Sequence, residues 1–251
     1  MWETLLGSEL VKRIVCKNYE EMSRLAAYVF ARQIWEKPDS VLGFAIGSTP
    51  VGMYRCLIDM YNGGMVDFSQ VTTFNIDEYY PMSKVSPQSR DSYMWENLFS
   101  HINVRRERVY LPNGGAADPQ RACDEYEKLL IDRGGIDLQL LGIGRNGHIA
   151  FIEPGESMRV NMHVIDLTED TIKANARFFE SADHVPRRAL TMGIGSIMNA
   201  GRVLMLASGT AKAPVVKQMF SGVITPCVPA SMLRLHPDVV VLMDEDAASL
   251  L

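Results

Sequence analysis

Short apolar runs alternate with helical patterns along most of this chain. Runs at 41–46, 71–76, 138–143, 203–207 and 239–243 are continuous rather than alternating, and each is bounded by Gly, Asp or Asn. Continuous runs of this length predict strands buried on both faces, as in a parallel sheet covered by helices. The intervening segments carry helix-start signals. Asn18 followed by Glu21 predicts a capping box for a helix to about Trp35. Thr49-Pro50, Ser86-Pro87 and Asp118-Pro119 each place a capping side chain before a proline suited to the first helical turn. Gly134-Gly135 ends the last of these helices. The pattern predicts an α/β fold with an open, mostly parallel sheet flanked by helices on both faces. No repeat or Pro/Ser/Gly-rich linker interrupts it, so residues 1–251 are expected to form a single domain. Residues 154–182 are the least regular part and are a candidate lid.

Composition narrows the class. Apolar residues make up 47% of the 251, ample for a buried core, and the net charge of −5 argues against a nucleic-acid partner. Cys16, Cys56, Cys123 and Cys227 form no CxxC pair and no zinc-spaced cluster, so free thiols in a reducing compartment are expected. The opening MWETLLGSELVKR has no basic flank before an apolar run, and no stretch approaches about 18 uninterrupted apolar residues. The expectation is a cytoplasmic protein with no membrane partner, either a monomer or a homo-oligomer.

In open α/β sheets, ligands bind beyond the carboxyl ends of the strands. Four expected strands end in polar loops: Gly47-Ser48-Thr49-Pro50, Asp77-Glu78-Tyr79, Gly144-Arg145-Asn146-Gly147-His148 and Ser208-Gly209-Thr210-Ala211-Lys212. If the strands are parallel neighbours, all four loops open onto one edge. Gly47, Ser48 and Thr49 lead into a helix, where N–H groups and hydroxyls favour an anion such as phosphate. The same residues also fit an ordinary turn capped by Thr49. The loop is neither a Walker A motif nor a GxGxxG fingerprint. Asp77 and Glu78 are neighbours in an extended segment, so only one of them should face the crevice. His148 sits in a glycine-rich loop where packing alone explains it poorly, although a structural histidine is an alternative. Asn146 or Glu153 could hydrogen-bond its imidazole and fix the tautomer. Lys212 shares the edge with the Gly47 loop, and Arg177 lies in Ala174-Asn175-Ala176-Arg177-Phe178-Phe179.

Four motifs in order resemble the glucosamine-6-phosphate deaminases. They are Gly47-Ser48-Thr49-Pro50, Phe74-Asn75-Ile76-Asp77-Glu78-Tyr79, the run from Gly142 through Gly144-Arg145-Asn146-Gly147-His148 to Phe151, and Ala174-Asn175-Ala176-Arg177-Phe178-Phe179. The resemblance implies a Rossmann-like sheet and a cofactor-free, metal-free reaction. In that reaction the small-molecule partner glucosamine 6-phosphate reacts with water to give fructose 6-phosphate and ammonia. It further implies that Asp77 carries a proton from C2 to C1 and that His148 assists ring opening, positioned by Asn146 and Glu153. Gly47, Ser48, Thr49, Arg177 and Lys212 would bind the phosphate.

The chain also departs from the family pattern. Ile152 stands where Asn usually precedes Glu-Pro, and Asn146 where many members have Asp. The basic pair that binds an allosteric amino-sugar phosphate in some members falls on His163 and Ile165. Ile165 cannot bind phosphate, so activation of that kind is not expected. Ile152 keeps a galactosamine-6-phosphate deaminase in view. A sugar-phosphate lactonase would need no proton relay between carbons. A sugar-phosphate sensor would normally add a DNA-binding module, for which a first strand near residue 41 leaves little room.

Overall fold

The continuous apolar runs become the centre of one sheet in the computed structural model, which describes residues 11–176 and 179–251. The strands in chain order are β1 (Val11–Cys16), β2 (Val41–Phe44), β3 (Thr72–Asn75), β4 (Asp77–Tyr80), β5 (Val109–Tyr110), β6 (Leu138–Gly142), β7 (His163–Asp166), β8 (Arg188–Thr191), β9 (Arg202–Ala207) and β10 (Val239–Asp244). Among the described residues, seven of them form a sheet in the order β1-β10-β9-β6-β2-β3-β5. Every pairing in it is parallel. Strands β4, β8 and β7 make a separate antiparallel sheet.

The helices are α1 (Tyr19–Glu36), α2 (Val51–Asn62), α3 (Arg90–Asn97), α4 (Pro119–Asp132), α5 (Glu169–Asn175), α6 (Ile194–Met198), α7 (Ala213–Met219) and α8 (Glu245–Ala248). They flank the large sheet, in which β2 and β3 are buried throughout and β9 from Val203 onward. Phe44 of β2 anchors the core between Phe30, Tyr54 and Phe99, with ring centroids 5.4–5.9 Å apart. Burying a side chain of that size contributes about 1.5–3 kcal/mol.

The capping signals fare unevenly. Asn18 caps α1 by accepting from the Glu21 N–H at 2.9 Å, while the Glu21 carboxylate returns to the Lys17 N–H at 2.6 Å, one residue before the cap. Asp118 caps α4 by accepting from the N–H groups of Gln120 and Arg121, both at 3.1 Å. Ser86-Pro87 does not start a helix. Helix α3 begins at Arg90, and its cap is Ser89, whose hydroxyl accepts from the Ser92 N–H at 3.0 Å. Thr49 does not cap α2, because Pro50 takes the cap position and makes no side-chain bond there.

Three expectations need correction. The first described strand is Val11–Cys16, not one near residue 41. It runs along the sheet edge, where Lys12, Arg13, Ile14 and Val15 are exposed, so it shows no continuous apolar run. Asp77-Glu78-Tyr79 is not a loop but part of β4 in the small sheet. Within the segment expected to be least regular, His163–Asp166 forms β7 and Glu169–Asn175 forms α5. Cys16, Cys56, Cys123 and Cys227 are all free thiols, and no helix of the described residues is long and apolar enough to cross a membrane.

Candidate active site

The strand order creates one topological switch point. From β2 the chain steps outward through β3 to β5, then returns to β6 on the other side of β2 and steps outward through β9 to β10. Loops leaving β2 and β6 therefore diverge and open a crevice at their carboxyl ends. A cavity of about 900 Å³ lies there. Gly47, Ser48, Thr49, Asp77, Asn146, His148 and Lys212 all line it, so three of the loops and the start of β4 converge there. Glu153 lies behind this lining and reaches it through Asn146. Arg177 lies outside the described residues.

The Gly47 loop is held from behind. Gly47 adopts φ +145°, a region that disfavours side chains. Its carbonyl accepts from the Tyr93 hydroxyl at 2.6 Å, and the Thr49 carbonyl accepts from the Tyr19 hydroxyl at 3.0 Å. That same tyrosine oxygen accepts from the Gly52 N–H at 2.8 Å. With the carbonyls tied to two tyrosines, the loop suits an anion through its N–H groups and hydroxyls. Lys212, in the turn between β9 and α7, donates to the Ile143 carbonyl at the end of β6, bringing an ammonium group to the same cavity.

Asp77 is the buried acid of the site, only 6% exposed. Its Oδ1 accepts from Arg90 Nε at 2.9 Å. Burial pushes the Asp77 carboxyl above its ordinary range, and the Arg90 guanidinium opposes that shift. Glu78 points elsewhere, as neighbours on a strand must. Its carboxylate accepts from the N–H groups of Tyr79 at 2.8 Å and Arg90 at 2.9 Å. Burial raises its pKa to about 7.

His148 rests against Gly144, where a Cβ would fall 2.3 Å from the imidazole. Gly147 between them takes φ +90°, which lets the loop turn back. Asn146 Oδ1 accepts from the His148 backbone N–H at 3.2 Å, and Asn146 Nδ2 donates to Glu153 Oε2 at 2.8 Å. Neither residue makes the expected hydrogen bond to the ring. Glu153 Oε2 stands 3.8 Å from His148 Nδ1, within ion-pair range, and Nδ1 has no hydrogen-bond partner among the described residues. Burial pushes the imidazole pKa below its ordinary value, Glu153 opposes this, and Lys212 adds to it. The second carboxylate oxygen of Glu153 is held by the hydroxyls of Thr171 and Thr168.

The sequence did not reveal several lining groups. Arg90 enters from the first turn of α3, and Thr171, Lys173 and Asn175 enter from α5. None belongs to a glycine-rich loop after a strand, the signal that located the rest. Ile152 proves to be a core residue, 3% exposed and absent from the cavity wall. Among the described residues, no three of His, Cys, Asp and Glu are grouped so as to hold a metal ion. The cavity thus combines an anion-suited loop and a lysine with a buried carboxylate and an imidazole. That set can hold a small phosphorylated substrate and move protons on its carbons.

Residues 19–242 match the family model for glucosamine-6-phosphate isomerases and 6-phosphogluconolactonases. The glucosamine-6-phosphate deaminase of Thermoanaerobacter pseudethanolicus is 54% identical over 241 residues, covering 96% of this chain and 95% of that protein. That of Clostridium perfringens is also 54% identical over 241 residues, covering 96% and 100%. A solved structure of a monomeric glucosamine-6-phosphate deaminase superposes with a TM-score of 0.94 at 48% identity, covering 96% of this chain and all of that one. The 6-phosphogluconolactonase of Trypanosoma brucei, at 21% identity and a TM-score of 0.77, shares the fold. The chain belongs to the family of glucosamine-6-phosphate isomerases and 6-phosphogluconolactonases.

Proposed function

We propose that this chain is a glucosamine-6-phosphate deaminase, converting glucosamine 6-phosphate and water to fructose 6-phosphate and ammonia. The observation that carries the proposal is the buried Asp77 carboxylate in the wall of the cavity that also holds the Gly47 loop and Lys212. A phosphate held by Gly47, Ser48, Thr49, Lys212 and Arg177 would fix the far end of the sugar. Remote binding energy then places the reacting carbons against the base. His148, kept largely uncharged by burial, assists opening of the ring, with Asn146 and Glu153 fixing its loop. In the open chain Asp77 takes the C2 proton and returns it to C1. The aldehyde oxygen gains a proton while nitrogen loses one, leaving a C1 alcohol and a C2 imine. Water adds to the imine carbon and ammonia leaves. These steps balance without an oxidant or reductant.

Relatives at 54% identity named as deaminases support this reading. A lactonase would have no use for a base that serves two adjacent carbons. With Ile152 in the core, nothing in the cavity wall favours the galactose epimer. The monomeric relative supports a monomer over a homo-oligomer. The absence of a spanning helix among the described residues and the class of substrate support the cytoplasm. Helix α5 contributes to the wall, which supports reading its segment as a lid within a single domain. The direct test is ammonia release from glucosamine 6-phosphate and from galactosamine 6-phosphate. Faster release from the glucose epimer is expected, and no release from it would refute the proposal.

Two further outcomes follow. Gly144→Ala should push the His148 ring from its seat and lower kcat by about tenfold or more, because small misplacements at reacting groups are expensive. Thermal unfolding of the variant, measured alongside, should change much less than turnover. Ile165 offers no charge, and His163 is buried with its Nδ1 at 2.9 Å from the Asn161 carbonyl. Saturation by substrate should therefore be hyperbolic, with no activation by N-acetylglucosamine 6-phosphate. A sigmoidal curve made hyperbolic by that compound would restore an allosteric site.

A further inference from the structure

A buried guanidinium is costly unless it is paired, and Arg90 is only 8% exposed. Its surroundings hold it in one place. Nε donates to Asp77 Oδ1 at 2.9 Å. The guanidinium carbon lies 4.3 Å from the Tyr79 ring centroid and 5.4 Å from that of Phe151. Its backbone N–H is bound by Glu78 Oε2, which ties the start of α3 to β4. The pair engages Oδ1 of Asp77 and leaves Oδ2 for a substrate, while Arg90 itself also lines the cavity.

We propose that Arg90 is a positioning residue for the base: it aims the Asp77 carboxylate into the cavity and keeps it ionised for proton transfer. This rests on Asp77 being the base of the proposed deamination. A carboxylate in so dry a wall would otherwise tend to bind a proton and lose its basicity. Lys173 on α5 and Arg145 after β6 also line the cavity, but among the described residues the positive charge acting on Asp77 is that of Arg90. Glu78 and Tyr79 on β4 and Tyr126 on α4 are acids, and across the cavity His148 is held uncharged by burial. Lys212 is anchored at the far strand end, on the Ile143 carbonyl. On β8, Thr191 lies opposite Asp77 in the ladder, while Arg188 sits over the Tyr80 ring.

The sign of the pH effect follows. A base works in its ionised form, so activity is present above the pKa of Asp77 and lost as pH falls through it. Removing Arg90 withdraws the neighbouring positive charge and should move that acid limb upward by about 1–3 pH units. The experiment is the pH profile of kcat/KM for ammonia release in wild type, Arg90→Lys and Arg90→Met. Arg90→Met should be slow at neutral pH and recover as pH rises, whereas Arg90→Lys should keep its limb near the wild-type position. An Arg90→Met profile like wild type, or one lowered evenly with the limb unmoved, would overturn the proposal. The second measurement is a 13C titration of the Asp77 carboxyl in substrate-free protein, with Glu78→Gln as the control for its neighbour. The Asp77 midpoint should rise in Arg90→Met and stay near wild type in Arg90→Lys. An unmoved midpoint in Arg90→Met would overturn the role of Arg90 whatever the substrate proves to be. Should Arg90→Met not fold, Arg90→Gln takes its place: its Asp77 midpoint should rise, and an unmoved one would likewise overturn the proposal. Absence of ammonia release by wild type would instead refute the functional reading and leave this titration to decide Arg90.

Discussion

Lys212→Ala is expected to raise KM for glucosamine 6-phosphate by roughly 10- to 150-fold, the equivalent of a charge-assisted hydrogen bond of about 1.5–3 kcal/mol. Lys212 sits in the turn after β9 and reaches across to the end of β6, beside the Gly47 loop in the cavity wall. An ammonium there has little to offer the reacting carbons, but it suits the dianionic end of the substrate. If phosphate binding is equal in ground and transition states, the loss should fall on KM. If part of that binding orients C1 and C2 against the base, kcat should fall too. Steady-state kinetics of ammonia release separates the two cases, and competition by inorganic phosphate reports the anion site alone. Unchanged KM, kcat and phosphate inhibition in Lys212→Ala would remove this residue from the site.

The parts of this architecture that could be read from sequence are those with one-dimensional signatures. Strands β2, β3, β6, β9 and β10 are buried on both faces, so their apolar runs are continuous. Their loops carry the glycines and polar groups that a carboxyl-end site requires, and the cavity gathers them. Strand β1 escaped notice because an exposed edge tolerates Lys12 and Arg13. Strand β4 escaped because Asp77-Glu78 looks like solvated loop. Its burial depends on Arg90, 13 residues further on, which packs back against it. The relation between His148 and its neighbours was also misjudged. Spacing placed Asn146 and Glu153 near the ring, but the loop turns at Gly147 so that Asn146 bonds the backbone and Glu153 stays 3.8 Å from Nδ1, beyond hydrogen-bond distance. Ile152 departs from the family pattern among motif residues, yet it takes no place in the cavity wall. The chain direction there sends its side chain into the core.

Asp77→Asn should have the largest effect of any substitution, abolishing turnover while leaving phosphate binding nearly intact. The amide keeps the shape of the carboxylate and can still meet Arg90 through its oxygen, but it cannot accept and return a proton. His148→Gln should behave differently. Its task precedes the proton transfer, so the cyclic sugar should react slowly while the bound open chain still exchanges its C2 proton. The measurement that bears most directly on the account is therefore glucosamine 6-phosphate in deuterated water, followed for ammonia release and for deuterium at C2 of the recovered substrate. Wild type should show both, His148→Gln should release ammonia slowly yet retain exchange, and Asp77→Asn should show neither while still binding inorganic phosphate. Near-normal ammonia release and exchange in Asp77→Asn would contradict the account and place the base elsewhere, with Glu78 the first residue to test.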